Sequence, residues 1–193
     1  MAGEAPAVPE LETARLSLRA LGPADAEGLH QAYGDAEAMR FWDLPASADV
    51  AETERRIRFS LQIGTAWHAA WAVRTRTDGR ADGRFVGMVN YHDRQPWNRR
   101  LAVGWILVPA LRGQGLMTEA MGALLAHGFG ALDAHRIEAE IEPQNLPSER
   151  LARRLGFRRE GLLRDRLQVA GRARSVAMWS LLRPEWEAGR VSS

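Results

Sequence analysis

Apolar and polar residues alternate through Arg15–Leu21 (RLSLRAL), the period of two that marks a strand with one covered face. Gly22-Pro23 interrupts it, and proline suits a first helical position, which predicts a short helix to about Gly34. Phe41-Trp42-Asp43-Leu44-Pro45 reads as an apolar loop, after which Ser47 or Asp49 caps a second helix with apolar positions at Val50, Ile57 and Leu61. Trp67–Val73 and Phe85–Tyr91 read as strands joined by the hairpin loop TRTDGRADGR, and Leu101–Val108 as a third apolar strand. From Gly115 to about Ala131 the period becomes helical, with Leu116, Met117, Ala120, Met121, Leu124, Leu125 and Phe129 on one broad face. Arg136–Glu142 (RIEAEIE) alternates as a half-buried strand, Asn145–Leu155 is a short helix stopped by Gly156, and Phe157–Leu167 and Ser175–Leu182 form the last strands. This order predicts a single α/β (α+β) domain, a mixed sheet flanked by helices. Residues 1–12 read as a loose leader, 13–187 as the domain and 188–193 as a tail.

Composition narrows the function classes. A chain of 193 residues suits one domain with a sizeable core. No apolar stretch has the length of a membrane span, and the acidic, Pro-rich start lacks the basic and apolar regions of a secretory signal, so a cytoplasmic location is expected. Cysteine is absent, which excludes disulfides, thiolate nucleophiles and cysteine-based zinc sites. The pI of about 9.8 stands beside a formal charge of only +2 because every basic group other than His is Arg. That is a bias toward Arg, and no array of aromatic and basic residues offers a base-stacking platform, so no nucleic-acid partner is expected.

The most informative stretch is Trp105-Ile-Leu-Val-Pro-Ala-Leu-Arg-Gly-Gln-Gly-Leu-Met-Thr-Glu-Ala120, a strand, a tight turn and a helix. Gly113 and Gly115 let the backbone turn sharply and approach a ligand. The helix that follows presents unpaired N–H groups carrying partial positive charge, which is an anion site without lysine or metal. A P-loop is excluded because the chain has no Lys, and the dinucleotide fingerprint because Thr118 stands at its third glycine.

Arg112-Gly113-Gln114-Gly115-Leu116-Met117 resembles the acetyl-CoA signature Q/R-x-x-G-x-G/A of the GNAT superfamily, with Met117 where the family has Gly or Ala. The resemblance covers nearly the whole chain. Glu12-Thr13-Ala14-Arg15-Leu16, Gly104-Trp105, Pro109 and Thr118-Glu119-Ala120 are similar to the branch that acetylates ribosomal-protein amino termini. So are Asn145-Leu-Pro-Ser148, Leu155-Gly156-Phe157, Arg159-Glu160-Gly161, Gly171-Arg172 and Ser180-Leu181-Leu182. It implies a mostly antiparallel sheet and acetyl-CoA as cosubstrate, with no metal. It also implies a pantetheine arm running beside Ile106, Leu107 and Val108, where a backbone N–H polarises the thioester carbonyl. The pyrophosphate would rest on Arg112, Gly113, Gln114, Gly115, Leu116, Met117 and Thr118.

The resemblance further implies roles for single residues. Asn145 is a contact to the pantetheine amides, an N-cap, or both. Ser148 is the candidate acid for the departing thiolate, because the place of the family's tyrosine holds Ala152. Ala102 stands where relatives have a glutamate base. Glu138, Glu140 and Glu142 share one face of the next strand, and Glu140 is taken from them as the candidate base; Glu160 and the pair His92-Asp93 are alternatives. Trp42 and Trp97, in loops, are candidates for the acceptor channel. The acceptor is read as a protein or peptide N-terminal amine, the alternatives being a small amine (polyamine, amino acid or aminoglycoside) or a non-catalytic CoA sensor. An edge strand beside the last hairpin offers a route to a homodimer.

Overall fold

The computed structural model describes residues 7–76 and 83–191. The centre of the predicted TRTDGRADGR loop and the extreme ends of the predicted leader and tail lie outside the described residues. In chain order the elements are β1 (Leu11–Glu12), β2 (Leu16–Ala20), α1 (Ala26–Tyr33), α2 (Ala36–Met39), α3 (Val50–Leu61), β3 (Ala69–Thr75), β4 (Phe85–Gln95) and β5 (Arg100–Leu107). They continue with α4 (Leu116–Phe129), β6 (Arg136–Ile141), α5 (Leu146–Arg154), β7 (Arg158–Val169), β8 (Arg172–Leu182) and α6 (Arg183–Val191).

The sheet runs β1-β2-β3-β4-β5-β6-β8-β7, antiparallel throughout except for the parallel pair β5/β6. Helices pack on both faces, and β4 touches both α1 and α4. That double cover explains why β3 and the first half of β4 are buried at successive positions and read as apolar runs instead of alternations. The last two strands form a long arm, and β7 is exposed along most of its length. Asp49, not Ser47, caps α3, accepting from the Glu52 N–H at 2.6 Å while Glu52 accepts from the Ala48 N–H at 2.7 Å. Ser47 is buried.

Two features differ from the hydrophobic pattern. The predicted leader is tied down at its end, where Leu11–Glu12 pairs with β2 and the Trp71 indole N–H donates to the Pro9 carbonyl at 2.8 Å. The chain also continues past the last strand as α6, where Glu185 accepts from the Leu182 N–H at 3.0 Å and Trp186 stacks on Phe129. Its composition hid it: the segment is short, carries charge at Arg183, Glu185 and Glu187, and follows β8 without a break.

The feature that makes a site is a defect in the sheet. β5 and β6 pair only from Arg100↔Arg136 to Ala102↔Glu138 and then diverge, opening a notch in the middle of the sheet.

Candidate active site

One wall of the notch is the free side of β5. The Val108 N–H donates to the Val86 carbonyl at 2.9 Å, and Met88 faces Ile106 in the same register. In an antiparallel pair such bonds fall on alternate residues, so the even-numbered residues of β5 bond β4. Trp105 and Leu107 therefore turn their N–H and C=O groups into the notch, as a strand-like ligand requires. Of the three residues predicted beside the arm, Val108 is corrected: it is buried and its N–H is used by Val86, whereas Ile106 and Leu107 line the space.

That space is a cavity of about 1600 Å³. At one end lies the turn before α4. Gly113 (φ 80°) and Gly115 (φ 73°) occupy the left-handed region, which favours glycine, and no side chain caps the helix. The first intrahelical bond is Glu119 N–H to the Gly115 carbonyl at 3.2 Å, so the amides of the preceding residues are left for a ligand. Arg112, Gly113, Gly115, Met117 and Thr118 line the cavity, with Arg150 and Arg154 nearby on α5. Met117 is 6 % exposed and belongs to the core cluster while bordering the cavity. Gln114 and Leu116 do not line the cavity: Leu116 is a core residue, and the Gln114 carbonyl accepts from the Arg15 guanidinium at 3.1 Å.

That last contact joins two sequence motifs whose roles the sequence did not reveal. The Glu119 carboxylate accepts from the Thr13 hydroxyl (2.5 Å), the Arg15 N–H (2.8 Å) and the Arg15 Nε (2.6 Å). Burial alone raises the Glu119 pKa, but these hydrogen bonds outweigh it and hold the group below its ordinary value. Thr13 and Arg15 thus strap the start of the chain to the first turn of α4 and brace the glycine turn.

Across the notch, α5 begins at Asn145. Its side-chain carbonyl caps the helix by accepting from the Ser148 N–H at 3.3 Å, and both residues line the cavity. The Trp105 indole N–H donates to the Ser148 hydroxyl at 3.3 Å. With that lone pair engaged, the hydroxyl proton is free to point elsewhere.

The floor is the even-numbered face of the sheet: Ala70, Met88, Asn90, His92, Ala102, Gly104, Ile106, Glu138 and Glu140 all line the cavity. Among the carboxylates proposed as bases, geometry argues against each. Glu138 is clamped by Arg100 and by Arg136 Nε at 2.6 Å. Glu140 accepts from Arg166 Nη2 at 3.0 Å and Nε at 3.1 Å, and Glu142 from Arg174 Nε at 2.7 Å. Each of these three carboxylates is thus already engaged by a guanidinium and is not a free acceptor for the amine. Glu160 lies outside the cavity, and hydrogen bonds from Arg136 and then Ser180 hold its pKa at about 2.

His92 differs. It faces Ala102 across β4 and β5, on the floor itself. It is open to solvent within the cleft yet walled by protein, and this partial burial pulls its pKa below the ordinary imidazole value, against Asp93, Glu140 and Asp43, which raise it. A neutral imidazole at pH 7 is therefore favoured. His68, in the loop before β3, also lines the cavity; burial and then His92 lower its pKa, and its buried Nε2 has no hydrogen-bond partner among the described residues. Among the described residues the buried Asn90 carbonyl likewise has none, and a Cβ at Gly104 would come within 2.5 Å of it, which explains the glycine there. Trp42 lines the cavity, tilted against Tyr33 at 5.5 Å. Trp97 is corrected: it is 67 % exposed, packs edge-on against Trp67, and does not border the cavity. Asn90, His68, Asp43 and Tyr33 were missed as site residues because they come from a strand, two loops and a helix that only tertiary packing brings to one cavity.

Comparison with known proteins agrees with this geometry. The sequence profile of the acetyltransferase (GNAT) domain matches residues 15–158. The chain is 32% identical over 176 residues to the uncharacterized N-acetyltransferase p20 of Bacillus licheniformis, covering 91% of this chain and 97% of that protein. It is 35% identical over 88 residues to the [ribosomal protein uS5]-alanine N-acetyltransferase of Escherichia coli, covering 46% of this chain and 45% of that one. The solved structure of spermidine N-acetyltransferase from Vibrio cholerae, in complex with CoA and spermine, shares the fold, with a TM-score of 0.76 at 20% identity over 91% of this chain and 99% of that one. The splayed strands, the uncapped glycine turn and the matched profile together make this chain a member of the GNAT family of acetyltransferases.

Proposed function

We propose that the protein transfers the acetyl group of acetyl-CoA directly to the N-terminal amine of a protein or peptide, with His92 accepting the amine proton and Ser148 supplying one to the departing thiolate. The observation that carries this reading is the convergence of three groups on one cavity: the outward backbone of Trp105 and Leu107, the Ser148 hydroxyl, and the His92 ring. The residues fit acetyl-CoA. The glycine turn and α4 amides, with Arg112, Arg150 and Arg154 near them, suit its phosphates, and the free side of β5 suits its amide-bearing arm.

The bound ammonium gives one proton to His92, and the freed lone pair attacks the thioester carbonyl. Backbone N–H of the notch stabilises the oxyanion. The C–S bond breaks, and the thiolate takes the Ser148 proton, which the second proton lost from the new amide nitrogen replaces. Asn145 holds the start of α5, and so Ser148, in register with the arm. No residue forms an acetyl-enzyme.

A protein terminus is favoured by two observations. The similarity to the uS5-alanine enzyme is one. The other is the rim: Leu44, Phe59 and Ile63 line the cavity and remain 46 %, 69 % and 48 % exposed, which suits an extended apolar segment entering from solvent.

Thiol release from acetyl-CoA, measured with free-amino peptides, polyamines, amino acids and aminoglycosides, tests the reading. Turnover on peptides supports it; turnover confined to one small amine overturns the acceptor assignment, and isolation of a covalent acetyl-enzyme overturns direct attack.

A further inference from the structure

Seven carboxylates line the cavity, and among the described residues six have a guanidinium partner. Glu138, Glu140 and Glu142 on the β6 side are answered as described above. Asp93 pairs with Arg100 at 2.9 Å, Glu52 with Arg56 at 2.5 Å, and Glu37 with Arg40 at 3.5 Å. Among the described residues Asp43 is left without an ion pair or hydrogen bond. It follows Trp42 in the loop after α2, and its charge acts on both Tyr33 and His92, so it lies at the acceptor end.

A second, independent observation lies on the floor of the same cavity. Asn90 is only 9 % exposed, lines the cavity, and its side-chain carbonyl has no donor. A buried acceptor without a partner costs free energy until a ligand supplies one. Asn90 lies two residues from His92 on the same strand face, about 7 Å along the strand.

We infer that the acceptor end of the cavity is a subsite for a lone primary ammonium, held by the Asp43 carboxylate and the Asn90 carbonyl beside the Tyr33–Trp42 ring pair, and that it disfavours acceptors carrying a second cation. This rests on the acetyl-transfer reading of the same cavity and names the charge class of its acceptor. The amine brings an N–H donor for Asn90 and one positive charge for Asp43, and presents to His92 the proton to be removed. The aromatic rings receive the apolar part beside it. A polyamine needs further free carboxylates, and here each of the others is already neutralised. Arg55, also lining the cavity, repels a second cation.

The test is equilibrium binding to the protein saturated with CoA, using two probes: the singly charged peptide Ala-Ala-Ala amide, and spermidine. The peptide amide is expected to bind at least about tenfold more tightly, and Asp43→Asn to weaken it about tenfold without changing CoA affinity. Arg166→Gln, which releases Glu140, is expected to improve spermidine binding and narrow the gap. Spermidine binding as tightly as the peptide amide, or peptide binding unaffected by Asp43→Asn, overturns the inference. If the peptide amide binds with this preference and is not acetylated, the inference stands and the proposed reaction fails.

Discussion

Replacing His92 by alanine separates a reaction with a resident base from one that relies on solvent. General-base catalysis contributes about 10²- to 10⁴-fold, or roughly 3 to 5 kcal/mol of barrier. The structure points to the lower end. His92 is open to water inside the cleft, so a water molecule can substitute in part, and about a hundredfold loss in kcat/KM is expected. The loss should fall on kcat, because Asp43 and Asn90, not His92, are the groups read as holding the amine.

The pH profile adds a sign. Burial sets the His92 pKa below its ordinary 6.5, so kcat/KM should stay level down to that value and fall one decade per pH unit below the depressed pKa, as the ring becomes protonated. Ala102 faces His92 directly across β4 and β5 on the same face, with Cβ atoms about 5 Å apart. In the His92→Ala background, Ala102→Glu should therefore recover about tenfold and move the acid limb down toward the carboxylate range. Thiol release at saturating acetyl-CoA, with melting curves to show each variant folded, measures all of this. Unchanged kcat/KM and an unchanged profile in His92→Ala would remove His92 from proton transfer. A rise in acceptor KM with kcat intact would make it a binding group.

Three further outcomes are expected. Gly115→Val should abolish acetyl-CoA binding by calorimetry while the protein stays folded, since the site requires φ 73° and the nearest atom to a Cβ is Arg15 Nη2 at 3.6 Å, an ordinary contact; an unchanged Kd would remove the turn from the site. Glu119→Ala should cost about 1–2 kcal/mol in urea unfolding, set by the lost Thr13 and Arg15 hydrogen bonds and discounted because the Arg15 side chain is 52% exposed. It should also raise the KM for acetyl-CoA with the acceptor KM unchanged, and a pure stability effect would show that the strap does not brace the turn. Because the folded Glu160 pKa is depressed to about 2, its contribution is fully present above the unfolded carboxylate value and is lost as pH falls from there toward 2. Acid unfolding of Glu160→Gln should accordingly be less steep in that window, by a modest amount since the side chain is 44% exposed.

The parts of the fold that are legible in the chain are those set by local period and local chemistry. The buried face of α4 is the one read from its spacing, and Asn145 and the glycine turn sit where capping and backbone freedom require. The notch is of another kind. Nothing near Ala102 or Glu138 says that pairing stops there, because it depends on the register of strands that a whole helix separates. The carboxylates of β6 carry the same lesson. Spaced alternately they share one face and offer Glu140 as a candidate base, yet each is matched by an Arg brought from β5, β7, β8 or its own strand. In a chain whose fixed cations are all Arg, such bidentate answers are to be expected, but their pairing is tertiary.

The site's chemistry depends most on one substitution that looks like a loss. Along the chain, Ala102 is a missing glutamate. In the sheet it is the small neighbour of His92, and the pair His92↔Ala102 occupies the same patch of floor beside the notch. A long side chain at 102 and an imidazole at 92 would compete for that patch, their Cβ atoms only about 5 Å apart. The alanine therefore leaves the histidine room within the cavity, as its proposed role requires. On this reading the base has moved one strand over while the reacting centre has stayed in place, a change that becomes visible only when residues are compared by sheet face and register instead of by distance from the Gly104-Trp105 pair.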